Sequence, residues 1–122
     1  PADAPEAQWQ AAVLRWLQTL ARRHFTARLD QLAPVLGVRW SRLSLTNART
    51  RWGSASSDGS IRLHWRLMQL APELADYVIV HELAHLHEMN HSPRFWAIVA
   101  AAMPDYQRHQ QALKQIRLAP LD

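Results

Sequence analysis

The chain contains no cysteine. That excludes disulfides, a thiolate nucleophile and any zinc site built on sulfur, so a bound transition metal must be held by histidine and carboxylate. It has one lysine against thirteen arginines, with a formal net charge of +4. The arginines are dispersed, with no run longer than Arg22-Arg23. This pattern argues against nucleic-acid binding as the main role and leaves it open as a secondary one. Long hydrophobic runs are also missing. Tyr77–Val80 and Ala97–Met103 are far shorter than the roughly 20 residues that span a bilayer, and nothing resembles a signal peptide. The expectation is a cytoplasmic protein without membrane association. The chain has no repeat, linker or low-complexity stretch. It begins at Pro1 instead of methionine, so a trimmed or processed chain is expected.

What is present suits one domain over residues 1–122, with 48% hydrophobic content and one core. Residues 1–5, with two prolines, are expected to be loose. Trp9, Ala12, Val13, Trp16, Leu17 and Leu20 recur at helical spacing between Glu6 and about His24. Leu29, Leu32, Ala33 and Leu36 continue the pattern from Thr26. Either Thr26 caps a second helix or one long helix bends near Phe25. Gly37 is expected to stop it, and Pro34 is awkward for an unbroken last turn. The tryptophans and leucines of this stripe read as core.

The middle of the chain changes period. Leu43 and Leu45 alternate with polar residues, Arg49 to Ala55 carries Trp52, and Ile61, Leu63 and Trp65 alternate with Arg62, His64 and Arg66. With turns at Asn47-Ala48 and Ser56–Gly59, these segments predict a three-stranded antiparallel meander. Ala71-Pro72-Glu73 opens a helix expected to reach about His87. That helix is apolar nearly all round, as a buried helix is. Another helix starts near Ser92-Pro93 and ends at Pro104, and Tyr106 to Leu118 predicts the last. The fold class is α+β: N-terminal helices, a three-stranded antiparallel sheet, a buried central helix and two C-terminal helices.

The buried helix carries His81-Glu82-Leu83-Ala84-His85, an H-E-x-x-H, and His91 follows. Helical spacing puts His81 and His85 one turn apart on one face, where their imidazoles can hold a single ion. Glu82 can then reach a metal-bound water. Histidine in so apolar a helix is costly unless paired or ligated. Three neutral imidazoles with one open position describe a catalytic Zn2+ site. Glu82 would take the water's proton and pass it to the leaving amine. A left-handed Asn90 would swing His91 back towards the helix.

His87, His24 and His109 read as surface residues. His64 reads either as an exposed strand histidine or as a group facing substrate. Glu88 is either a partner of a ligand histidine or a solvated charge. Tyr77, His64, Tyr106 and the arginines remain open as oxyanion stabilisers. Arg49, Arg51 and Arg66 either orient a carboxylate or phosphate or pair with Glu73, Asp76 or Asp105. If the third strand is an edge, an extended peptide could pair with it. The substrate-binding candidates are therefore His64, Arg51, Arg66 and Tyr77. The His81–His91 spacing equals that of metzincins, but Glu88 stands where their motif has glycine.

Several segments in order, namely Arg51-Trp52-Gly53-Ser54, Ile61 to Leu67, Asp76 to His85, Asn90-His91-Ser92 with Phe95-Trp96, and Met103 to Tyr106, resemble the YgjP-like metal-dependent hydrolases. That family is similar to the SprT and WLM zinc metallopeptidases. The resemblance implies a zincin-like fold, with His81, His85 and His91 as zinc ligands and Glu82 as the catalytic glutamate. It also implies hydrolysis of a peptide or protein substrate. It departs at Ala55, where the family usually has cysteine. Members usually carry a further N-terminal β-rich region, so either a trimmed chain or a naturally short member is expected. Two other functions stay open: a nucleotide or phosphoanhydride hydrolase with an arginine-lined cleft, and a non-catalytic zinc-stabilised module that docks on nucleic acid.

Overall fold

The structure, a computed structural model, describes residues 4–116. Four α-helices and a three-stranded sheet run in the order α1 (Ala4–Leu36), β1 (Arg42–Thr46), β2 (Gly53–Ala55), β3 (Ser60–His64), α2 (Pro72–Ala84), α3 (Pro93–Ala102) and α4 (Tyr106–Gln115). A 3₁₀ turn at Trp65–Gln69 joins β3 to α2. Of residues 1–5, expected to be loose, 1–3 lie outside the described residues, as does the expected end of the last helix at 117–118, while Ala4 and Pro5 form the first turn of α1. Among the described residues no helix is long and apolar enough to cross a membrane.

The N-terminal segment is one helix of 33 residues. It stops where Gly37 takes a positive φ of 71°, which costs glycine little. Its core face is Ala21, Phe25, Leu29, Ala33 and Leu36, a stripe at helical spacing. In the earlier part of the expected stripe Leu17 packs against the core, but Trp9 is 69% and Trp16 is 61% exposed. At about 1.5 Å per residue the helix is roughly 50 Å long. Its packing partners, α2 and the 3₁₀ turn, meet the second half. Periodicity marks an apolar face; it does not supply the partner that covers it.

The expected antiparallel meander is corrected. The sheet is mixed, in the order β1-β3-β2, with β1 parallel to β3 and β2 antiparallel to it. The segment after β1 is no hairpin turn. The Trp65 indole donates to Asn47 Oδ1, and the His64 N–H donates to the Trp52 carbonyl at 2.8 Å. Both ends of the connection are thus tied to the end of β3. The chain passes over that end and returns on the other side, leaving the middle position for β3. The second strand is correspondingly shorter than expected. The turn at Ser56–Gly59 is as expected, with the Gly59 N–H donating to Ser56 O at 3.0 Å. Leu43, Ile61 and Leu63 lie on the buried side of the sheet, in register as Leu43↔Ile61 and Leu45↔Leu63.

Pro72 at the first turn and Glu73 beside it start α2, where a missing N–H costs nothing and a carboxylate meets the helix dipole. The helix is buried on nearly every side, including Leu74, Tyr77, Ile79, Val80 and Leu83. It ends at Ala84, a turn earlier than expected. Tight turns follow, with N–H groups of Leu86, His87 and Glu88 donating to Leu83 or Ala84 carbonyls. Asn90 is not left-handed, since no non-glycine residue described has a positive φ; these right-handed turns reverse the chain instead.

Candidate metal centre

The end of α2 and the segment leading into α3 bring the histidines together. His81 sits in the last turn of α2 and His85 is its C-terminal cap. His91 directly precedes Ser92, whose Oγ caps α3 by accepting from the Phe95 N–H at 3.3 Å. One nitrogen from each histidine falls within 4.8 Å of the others. Phe95, wholly buried, lies under all three rings at centroid distances of 5.0, 4.4 and 5.0 Å to His81, His85 and His91. Trp96 flanks His81 and His91, each at 5.8 Å.

Hydrogen bonds set which nitrogens are free. A carbonyl only accepts, so the contact of 3.1 Å between His85 Nδ1 and the Glu88 carbonyl puts the proton on Nδ1 and leaves the Nε2 lone pair bare. His81 Nδ1 likewise donates to Glu82 Oε2 at 3.2 Å. His85 Nε2 and His91 Nε2 are 3.1 Å apart. That contact is of hydrogen-bond length, and it is close to the roughly 3.4 Å that two nitrogens would keep when bound to one tetrahedral ion at about 2.0–2.1 Å. Burial, reinforced by His81 and His85, pushes the His91 imidazole below its usual pKa against a weaker pull from Glu82. That favours the neutral ring that coordination requires. The donor set of imidazole nitrogens beside a carboxylate suits a divalent transition metal.

Glu82 is 5% exposed and packs on the backbone of β2. A Cβ at Gly53 would come within 3.1 Å of Glu82 Cγ and 3.2 Å of its Oε2. The absent side chain is therefore what lets strand and carboxylate meet. Two recesses flank this contact. The first, of about 210 Å³, has walls from Trp52, Tyr77, Val78 and Leu113; the second, of about 330 Å³, runs past Ser54, Ala55, His85 and His91. Arg51, Gly53 and Glu82 border both.

The other candidates divide. Tyr77 and Arg51 line the first recess. Burial, with Glu82 and Tyr106 nearby, pushes the Tyr77 phenol up to about 12, so it stays protonated. His64 is neither exposed nor in the recess. It is 1% exposed, sits edge-on to Trp52, and its Nδ1 accepts from the Arg66 N–H at 3.1 Å. Arg66 lies over the Trp65 ring and away from the recesses. Tyr106 stacks on Trp96. The expected pairing of arginines 49, 51 or 66 with nearby acids is not seen: Asp76 is held by Arg28 and Asp105 by Arg108. His109, read as a surface residue, is 7% exposed and contacts Asp105 Oδ2 at 3.2 Å. His87 meets the Leu36 carbonyl at the end of α1.

Residues 1–116 match the YgjP-like metallopeptidase domain. The chain belongs to that family. Two solved structures are similar to this YgjP-like fold. One is the metallopeptidase zymogen of Pyrococcus abyssi abylysin, 23% identical with a TM-score of 0.68, covering 75% of this chain and 92% of that one. The other is the metallopeptidase zymogen of Methanocaldococcus jannaschii jannalysin, 18% identical with a TM-score of 0.64, covering 75% and 94%. At these identities the likeness is one of fold. No curated protein sequence matches the chain. Within the YgjP-like site, sequence reasoning missed three roles: Phe95 under the histidines, Gly53 against Glu82, and Leu113 walling the recess from α4. Phe95 stood four residues after His91 in a capped helix, which was a usable signal. Gly53 stood in the Arg51-Trp52-Gly53-Ser54 motif, which marked the position but not the contact with Glu82, and Leu113 had no signal, because both roles exist only across elements.

Proposed function

We propose that the protein is a zinc-dependent peptidase, with His81, His85 and His91 holding the ion and Glu82 moving the proton. The observation that carries this reading is the convergence of three imidazole nitrogens within 4.8 Å beside a buried carboxylate in a metallopeptidase-type domain. Zinc held there supplies Lewis acidity, bringing a water's pKa to about 7 and polarising a carbonyl. The Glu88 carbonyl orients His85, and Phe95 and Trp96 pack against the rings. Glu82 accepts the proton of the attacking water and returns it to the amine as the peptide C–N bond breaks. Tyr77, protonated at working pH, and Arg51 are the donors next to Glu82 that can meet negative charge developing on the carbonyl oxygen.

The fold supports an extended substrate. β3, expected as a possible edge, is central, and β2 is the edge beside Glu82. A peptide adding to β2 would run between the two recesses. The nucleotide reading needed an arginine-lined cleft, and only Arg51 of the arginines borders these recesses. The test is Glu82→Gln: turnover of peptides is expected to vanish while one zinc per chain remains by elemental analysis. Retained peptide cleavage would overturn the reading. Nucleotide turnover without peptide cleavage would favour the alternative.

A further inference from the structure

We propose that the recess of Trp52, Tyr77, Val78 and Leu113 is a side-chain specificity pocket for a large apolar or aromatic residue next to the bond that is cut. This rests on the peptidase reading and extends it to a substrate class. The recess opens beside Glu82 and His81, so whatever fills it lies next to the proton-transfer group. Its walls come from three elements: the segment before β2, one face of α2, and α4. Tyr77 and Val78 are 4% and 3% exposed, and Leu113 packs against the core.

Size and chemistry both select. Apolar cavities of about 150 Å³ take up benzene, and this recess is about 210 Å³, which leaves room for a phenyl ring or a branched aliphatic chain. Gln110 is neutral and Arg51 is cationic, so a lysine or arginine side chain finds no counter-charge except Glu82, the group that must receive the water's proton. An acidic side chain would meet Arg51 at the rim but crowd Glu82 with like charge. A glycine or alanine leaves the walls wet. Filling them with leucine or phenylalanine instead of alanine is worth roughly ten- to a hundredfold in kcat/KM.

The full chain, zinc-loaded, is incubated with a random peptide library blocked at both ends, and cleavage sites are read by mass spectrometry. Enrichment of Leu, Phe, Met or Tyr at one position flanking the cut is expected. Leu113→Trp fills the pocket and should lower the Phe-to-Ala ratio of kcat/KM about tenfold or more. A second readout needs no turnover. N-acetyl-phenylalaninamide should shift the Val78 and Leu113 methyl NMR signals of the metal-free protein, and N-acetyl-alaninamide should not. Peptide cleavage without apolar preference, or with a preference for charged residues, overturns the pocket and leaves the peptidase reading standing. Methyl shifts with no peptide cut at all overturn the peptidase reading and, with it, the pocket as a specificity site, leaving only an apolar binding recess.

Discussion

Gly53 is the residue whose importance is least visible in its own chemistry. Its φ is not in the positive range, so alanine fits its backbone. The obstacle is steric: an added Cβ would meet the Arg62 carbonyl at 3.0 Å and Glu82 at 3.1 Å, and something must give by a few tenths of an ångström. Gly53→Ala is therefore expected to lower kcat about tenfold by displacing the carboxylate, with zinc content unchanged. Wild-type kcat in that variant would mean that Glu82 has slack. His64 makes a prediction of a different kind. Burial, and secondarily Arg66, lower its pKa, and its bare Nδ1 caps the 3₁₀ turn. The unfolded chain then binds the proton more readily than the folded one. This contribution to stability is complete above about pH 6.5, the unfolded value, and is lost as pH falls towards the lower folded value. Denaturant melts should show stability dropping through that window. His64→Asn, which offers a cap oxygen and does not titrate, should flatten the slope, and an unchanged slope would exclude His64 as its source.

At the scale of elements, the joint between α1 and α2 matters most for the site, because α2 carries His81 and Glu82. Phe25 and Leu29 of α1 pack against that core, and Arg28 clamps Asp76 by two hydrogen bonds of 2.9 Å. Asp76 holds the Arg28 guanidinium above its usual pKa, chiefly through these bonds. Both side chains are partly exposed, at 29% and 23%, so the pair is worth about 1 kcal/mol after solvent screening. Asp76→Asn should lower Tm by a few degrees, roughly 3–6 °C, and the difference should shrink in 1 M salt. A salt-independent loss would point to packing instead of charge. The α2 C-terminus is the second joint: its early end at Ala84 leaves His85 as the cap and turns the chain soon enough to bring His91 back.

For the whole molecule, the core and the candidate metal centre are built from different side chains. Phe25, Leu29, Ile61, Leu63, Ile79 and Val80 are wholly buried, and none of them is a candidate ligand. The metal-free protein is expected to remain folded, with its near-UV circular dichroism kept after chelation. Zinc at a hundredfold excess over its Kd should add about 2.7 kcal/mol, seen as a rise in Tm that His91→Ala removes. Collapse of the near-UV signal on chelation would instead favour the zinc-stabilised module. Trp9 and Trp16 stay exposed on α1, outside the core described.

Much of the candidate site was legible in the sequence, in that His81, His85 and His91 come together, because helical spacing is local. His81, Glu82 and His85 lie within five residues at the end of α2, the last of them its right-handed cap, where 3.6-residue periodicity dictates which side chains share a face. His91 follows within a short turn. The apolar character of α2 announced burial, and Gly37 announced the end of α1. What tertiary structure decided is everything set by contact between distant segments. Alternation in the strands reported which face was buried and said nothing of whether neighbours ran parallel. The tie of Asn47 and Trp52 to the end of β3 chose the mixed order and put β2 at the edge. The same ordering brought Gly53 against Glu82, drew α4 over the recess through Leu113, and sank His64 beneath Trp52 where the sequence had left it free to face solvent or substrate. The physical reason is one of range: helical spacing acts over a few residues, while strand order and cavity walls depend on which distant surfaces find each other to bury.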